Sequence, residues 1–373
     1  MTIVILYDSI VDTGEKMKKI NEIYINKNKF KKNIKFICMG IALGISLLLP
    51  VKLKNSNKTI NSNISSSKVQ DAEVHEYPKV NDKLEEVTEV NIKDDMFSNE
   101  EISINNSNFI ISERLINEMK KHIKNFGGDC SFLVVNLNDG MSFGYNVDKA
   151  YSTASTIKVA FSLYSFKEMD KGNGSLEEQK LYEARFKRDG SGVLKNKSTG
   201  TNYSLKDLFY YTIHYSDNVA YYMVHDRFYD ATYNDFLKEL GCNNLYLNNG
   251  AKWGKIDARS MALIWQEIYK YKDESENGKY LFELLTNADY NYIQEGMEKY
   301  QSAHKSGWTP RETHDSGIVF ANDDYIVVTL NNNNGNYSAK SQLLKTSGFI
   351  EKVISEYELY KQETKNKQKT LSK

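Results

Sequence analysis

The sequence predicts a mixed α/β (α+β) domain: an antiparallel sheet flanked by helices, with a helical subdomain inserted. One N-terminal membrane helix and a flexible stalk precede it. Three observations predict this. Strand-like runs stand near both ends of the segment 110–360 with helical stretches between them, so distant strands should close one sheet. A helix starting at Ser155 is apolar nearly all round, which marks it as buried. An isolated apolar run, Phe36 to Val51, lies far upstream.

That run, FICMGIALGISLLLPV, follows Lys27, Lys29, Lys31, Lys32 and Lys35. It is slightly shorter than the roughly 17–25 residues a spanning helix uses, and longer than most signal-peptide cores. No small-x-small cleavage site follows, since Lys52-Leu53-Lys54-Asn55 come next. An uncleaved signal anchor is favoured over a cleaved signal. The basic flank keeps the N-terminus in the cytoplasm and puts the rest of the chain outside. Residues 52–107 are rich in Asn, Ser, Lys, Glu and Asp and poor in aromatics. Such a stretch buries too little apolar area to offset its chain entropy, apart from a short helix expected near 81–90. The chain therefore divides into a cytoplasmic segment 1–35, a transmembrane signal anchor 36–53, a disordered linker 54–108, a folded domain 109–361 and a disordered tail 362–373.

Within the folded domain, Ser112 caps a helix reaching about Phe126, with Leu115, Ile116, Met119 and Ile123 on one face. Ser131–Leu137 reads as a buried strand. Asn138-Asp139-Gly140 is a hairpin turn that returns the chain through Met141–Tyr145. The buried helix Ser155–Met169 follows. A mostly helical stretch then runs from Leu176 to Tyr271, interrupted by loops at 188–203 and 241–255. Ser302–Trp308, His314–Ala321 and Tyr325–Asn331 read as three strands, and a last helix spans Ser341–Tyr360.

The charge balance excludes one function class. Lys+Arg and Asp+Glu both number 49, whereas a nucleic-acid binder usually shows a basic excess. Cys38, Cys130 and Cys242 have no metal-ligand spacing. Cys130 and Cys242 could pair in an oxidising compartment or stay as separate buried thiols. The scattered histidines suggest no metal site, and no cofactor is expected.

Lys158 is the most informative residue. It stands three positions after Ser155, on the same helix face, in a helix that should be buried. A buried, unpaired ammonium tends to lose its proton, and a neutral lysine beside a serine can serve as the base that activates its hydroxyl. The helix start also offers N–H groups to a developing oxyanion. Ser-x-x-Lys recurs at Ser65–Lys68, in the stalk, and at Ser302–Lys305, on a strand where the two side chains point to opposite faces. Two further elements accompany the Ser155 copy. Ser216-Asp217-Asn218 opens an apolar run, and an ordinary capping turn would explain it alone. Lys305-Ser306-Gly307 lies on the first late strand, where a charged edge with a bulge glycine would explain it alone.

In this order, Ser155-x-x-Lys158, Ser216-Asp217-Asn218 and Lys305-Ser306-Gly307 resemble the motif set of class A β-lactamases and penicillin-binding proteins. The resemblance covers about 110–360 and implies a β-lactamase/transpeptidase-like fold. It further implies that Ser155 attacks a carbonyl, that Lys158 takes its proton, and that Ser216 relays a proton to the leaving nitrogen. Asn218 would bind the substrate's side-chain amide. Lys305 would polarise Ser216 and attract a substrate carboxylate, which Ser306 would hydrogen-bond. Backbone N–H groups of Ser155 and Trp308 would form the oxyanion hole. The implied partners are β-lactams or peptidoglycan peptides.

Two departures stand out. Class A enzymes carry a glutamate that activates the water clearing the acyl-enzyme. The segment 240–266 has no glutamate, and its only acid, Asp257, reads as a helix cap. Ser316 stands where those enzymes often place an arginine, with Arg311 a weak substitute. The expectation is a membrane-anchored, extracytoplasmic serine hydrolase or acyltransferase that acylates well and deacylates slowly. An efficient β-lactamase with an unrecognised base, and a non-catalytic wall-binding module, are the rival readings.

Overall fold

A computed structural model describes residues 101–105, 108–247, 251–332 and 339–372, all within the unit Asn81–Lys373. The apolar run 36–51 and nearly all of the expected linker lie outside these residues. Among the described residues no helix is long and apolar enough to cross a membrane.

The central sheet contains β1 (Ser103–Asn105), β2 (Asp129–Asn136), β3 (Ser142–Tyr145), β4 (Gln301–His304), β5 (Gly307–Trp308), β6 (Thr313–Phe320) and β7 (Asp324–Asn332). Its order is β1-β3-β2-β7-β6-β4, with β5 also on β6. Every pairing is antiparallel. The closure expected from distant segments is the β2–β7 ladder, in which Val134 faces Val327 and Leu133 faces Val328.

Alternation along the strands feeds two cores. Leu133, Val135, Ile318, Ile326 and Val328 turn to one face, under α2 (Ile157–Asp170), α3 (Leu205–Ile213), α4 (Asn218–Phe228), α5 (Thr232–Glu239), α6 (Ala258–Tyr271) and α7 (Glu276–Thr286). Phe132, Val134, Val319, Tyr325 and Val327 turn to the other. There they meet α1 (Glu113–Lys124), α8 (Tyr292–Gly296) and α9 (Ala339–Leu371). In α2 nearly every residue from Ile157 to Phe166 is buried, including Phe161, Leu163 and Phe166. Each such side chain contributes on the order of 1.5–3 kcal/mol of burial, so this helix is fixed at the centre of the domain.

Four elements differ from expectation. Ser103–Asn105, within the expected disordered linker, is strand β1 and pairs antiparallel with β3. The stretch from Leu176 to Lys187 forms no α-helix, only a single 3-10 turn at Ala184–Phe186. Gln179–Leu181 pairs instead with Asn202–Ser204, and Tyr182 exchanges backbone hydrogen bonds of 2.8 Å with Thr201 and Gly200. Burial of Tyr182, Phe186 and Leu194 overrides a local preference worth only tenths of a kcal/mol per residue. The late strand 302–308 is divided into β4 and β5, but Lys305 N–H donates to the Ser316 carbonyl at 2.9 Å. Both halves keep the same register against β6, so Gly307 is not a bulge. The expected disordered tail is helical through Leu371. Residues 361–371 are rich in Lys and Gln, whose propensity extends a helix already nucleated by packing.

Cys130 and Cys242 are separate buried thiols. Burial pushes the Cys130 thiol up to about 12, and Cys242 donates to the Ser260 carbonyl.

Candidate active site

Ser155 lies in a single tight turn, Ala154–Thr156, that leads into α2. Ala154 has φ +43°, a left-handed conformation that costs a non-glycine residue on the order of 1–3 kcal/mol. Surrounding contacts hold it there. Thr156 N–H and its hydroxyl both donate to the Thr153 carbonyl. His314 on β6 clamps the preceding segment: its Nε2 meets the Ser152 carbonyl at 2.8 Å while its Nδ1 accepts the Asn331 N–H. Those contacts need the neutral ring with the proton on Nε2, and burial lowers the His314 pKa to about 4.

The Lys158 side chain is fully buried. Its Nζ lies 3.1 Å from Ser155 Oγ, 2.6 Å from the Ser216 carbonyl, 3.2 Å from Ser216 Oγ and 2.9 Å from Asn218 Oδ1. The Ser216 carbonyl and Asn218 Oδ1 can only accept. They absorb two N–H groups, which is all that a neutral amine has, and leave its lone pair for a hydroxyl proton. Burial pushes the Lys158 pKa well below 10.5, the neighbouring Lys305 charge lowers it further, and Asp217 opposes both.

Ser216 has φ +52°, a second left-handed non-glycine residue at the site. Its Oγ also lies 3.0 Å from Lys305 Nζ, so the hydroxyl bridges the two lysines. Lys305 is likewise fully buried and donates to the Ser306 carbonyl at 3.0 Å. Burial lowers its pKa to about 8, against the attraction of Asp315 and Asp289. The Ser306 side chain is buried beside it. Gly307 explains its own identity: a Cβ there would stand 2.6 Å from the Ser155 nitrogen and 2.7 Å from the Thr156 nitrogen. Only glycine lets β5 approach the Ser155 turn so closely, bringing the Trp308 backbone beside it. The Trp308 side chain is exposed.

The three motifs expected to meet are thus brought together: Ser155, Lys158, Ser216, Asn218 and Lys305 form one hydrogen-bonded cluster. The capping turn read at Ser216-Asp217-Asn218 is present, with Asp217 as the cap, and Asp217 also ties the motif to a second loop. Its Oδ1 accepts from Val219 and Ala220 N–H, capping α4. Its Oδ2 accepts from Val193 and Leu194 N–H at 2.6 and 2.7 Å. Gly192 permits that contact, with φ +103° and no room for a Cβ, which would lie 2.2 Å from the carboxylate. Asn218 Nδ2 donates to the Asp189 carbonyl at 3.0 Å. The Gly190-Ser191-Gly192 spacing was the sequence signal for this close approach.

Asp257 caps α6 as expected, accepting from Ser260 N–H at 2.6 Å and from Asn244 Nδ2. No carboxylate among the described residues hydrogen-bonds Ser155 or Lys158. Trp253 and Tyr221 flank the Lys158 amine instead, with ring centroids 5.6 and 5.7 Å from Nζ. Ser316 is fully buried and accepts from Trp265 Nε1 at 2.9 Å. The place where an arginine was sought is therefore filled by core packing, and Arg311 is exposed in the turn before β6.

This geometry defines a β-lactamase-like domain: an antiparallel sheet with helices on both faces and a half-buried serine paired with a fully buried lysine at the start of the central helix. The chain belongs to the β-lactamase enzyme family, whose model it matches over residues 114–349. Solved structures agree on the fold. PBP-A, in a form determined as an acyl-enzyme complex with penicillin G, aligns with TM-score 0.60 at 20% identity, covering 65% of this chain and 96% of that one. A β-lactamase of Sphaerobacter thermophilus aligns with TM-score 0.59 at 22% identity, covering 65% and 97%. One of Xanthomonas campestris pv. campestris aligns with TM-score 0.58 at 15% identity, covering 65% and 98%. No curated protein matches at a significant level.

Proposed function

We propose that this protein is a serine hydrolase or acyltransferase that forms an acyl-enzyme at Ser155 with β-lactams or cell-wall peptides. The observation that carries the proposal is the Lys158 amine, 3.1 Å from Ser155 Oγ with its N–H groups taken by acceptor-only partners. In the proposed step Ser155 Oγ bonds to the substrate carbonyl carbon and its proton passes to Lys158 Nζ. The carbon–nitrogen bond breaks, and Ser216, bridging the two lysines, delivers a proton to the departing nitrogen. Backbone N–H groups of Ser155 and Trp308 receive the oxyanion. Asn218 and Ser306 bind the substrate amide and carboxylate, the latter attracted by Lys305.

The test is intact-mass spectrometry of the full chain treated with penicillin. Wild type is expected to gain one penicilloyl group, mapped to Ser155, and Ser155→Ala none. Equal labelling of the two proteins would remove Ser155 from the mechanism.

The proposed location is the cell membrane, with a single pass through residues 36–53 and the folded domain outside. The apolar run and its lysine-rich N-terminal flank support this. Protease added to intact protoplasts should then release the domain. Full-length protein in the soluble cytoplasmic fraction would refute the location.

A further inference from the structure

The loop that carries Trp253 is fastened to the Ser155 turn. Thr153 N–H donates to the Gly254 carbonyl at 3.0 Å, and Gly254 N–H donates to Thr153 Oγ1 at 3.1 Å. Tyr151–Ser152 pairs with Lys255–Ile256 just beyond. Gly254 makes this fit: a Cβ there would lie 2.3 Å from the Tyr246 carbonyl oxygen. On the other flank, the buried Tyr221 donates its hydroxyl to the Lys252 carbonyl at 2.8 Å. Its ring stands 5.4 Å from that of Trp253. Trp253 is therefore held at both neighbours, with its ring beside the Lys158 amine and 37% of its surface still facing solvent.

A partly exposed ring beside a fully buried amine is placed to cover it from solvent, and among the described residues that amine is the base in hydrogen-bonding contact with Ser155. Hydrolysis of an ester on Ser155 needs a water whose oxygen bonds to the acyl carbon while a nearby base accepts its proton. The bond from the acyl carbon to Oγ then breaks, Oγ regains a proton, and a free carboxylic acid leaves. Excluding water from such a site suppresses that side of the chemistry without touching acylation.

We infer that Trp253, backed by Tyr221, is a shielding residue that keeps water from the Lys158 amine and sets the lifetime of the Ser155 acyl-enzyme. This rests on the acyl-enzyme reading above, and the test separates the two. The full chain and its Trp253→Ala, Trp253→Phe and Tyr221→Phe variants are labelled with penicillin G, excess drug is removed, and the adduct is followed by timed mass spectra. Adduct formation reports the acyl-enzyme reading; adduct decay reports the shield. Trp253→Ala should still form the adduct but lose it about tenfold faster or more, a part of the 10²–10⁴-fold that general-base access is worth. Trp253→Phe should decay nearly as slowly as wild type, because an aromatic ring is retained. Tyr221→Phe, which removes the hydrogen bond to the Lys252 carbonyl and loosens the loop without removing a ring, should decay severalfold faster. Unchanged decay in both Trp253→Ala and Tyr221→Phe would overturn the shield while leaving the acyl-enzyme intact. Failure of wild type to label at all would overturn both.

Discussion

Replacing Lys158 with methionine is expected to slow acylation of Ser155 by about 10²–10⁴-fold, the usual worth of a positioned general base. That corresponds to roughly 3–5 kcal/mol of barrier. Methionine keeps most of the buried volume but supplies neither lone pair nor N–H, so the Ser216 carbonyl and Asn218 Oδ1 lose their shared donor. The acylation rate should also depend on pH in a direction set by the two lysines. Lys158 works as the free amine. Its pKa, held well below 10.5 by burial and the Lys305 charge, places the rising limb of the profile far below that of an ordinary lysine. Lys305 works as the ammonium, and burial lowers its pKa to about 8, so activity should fall as pH rises through that value. Lys305→Arg keeps its charge at all relevant pH and should abolish the falling limb while lowering the maximum. Second-order labelling constants for a fluorescent penicillin, measured across the pH range, check both statements. A Lys158→Met protein that acylates within a few-fold of wild type, with thermal unfolding unchanged, would rule out Lys158 as the base.

The second expected result is persistence of the acyl group. Without a carboxylate to activate water, hydrolysis forgoes help worth about 10²–10⁴-fold. Nitrocefin should therefore give a burst near one equivalent per enzyme followed by a slow phase, with the adduct visible by mass throughout. Asp257 is 2% exposed and both its oxygens are occupied, one by Ser260 N–H and one by Asn244 Nδ2. Burial raises its pKa despite those hydrogen bonds. Asp257→Asn, which keeps a capping oxygen, should barely change the decay rate, because Asp257 hydrogen-bonds neither Ser155 nor Lys158. Rapid multiple turnover with no accumulating adduct would contradict the slow-deacylation reading. If Asp257→Asn then abolished that turnover, Asp257 would be the base and the β-lactamase reading would take first place.

Much of this arrangement was legible in the sequence because the features concerned are local. The uniform apolarity around Ser155 and Lys158 revealed a buried helix, and the two strand-like runs His314–Ala321 and Tyr325–Asn331, separated by only a few residues, gave β6 and β7. Asp257 read as a cap from its place before a helical run. What stayed hidden depends on contacts between segments far apart in the chain. Leu176–Lys187 has the local composition of a helix, and only the partner strand Asn202–Ser204 and the burial of Tyr182 and Phe186 make it a ribbon. Ser316 was placed by counting along a strand, but counting does not show that Trp265 reaches across from α6 to claim its hydroxyl. Trp253 is an ordinary loop tryptophan until the loop is seen fastened at Thr153. Its one sequence signal, the glycine that follows it, has many other uses.

The β2–β7 ladder also fixes when the site comes into being. Ser155 is made early, but Lys305 and the strand β6 that positions it follow much later, and β2 has no partner on that side until β7 exists. Closing so long a loop brings its entropy cost before any reward from sheet pairing. At about 5–20 residues per second of synthesis, some 10–35 s separate the appearance of Ser155 from that of Asn332. For most of that interval Lys305 and the Gly307 strand have not been made, and they are held against Ser155 only once the sheet closes. The site is consequently assembled only after β7 has been made and the sheet has closed.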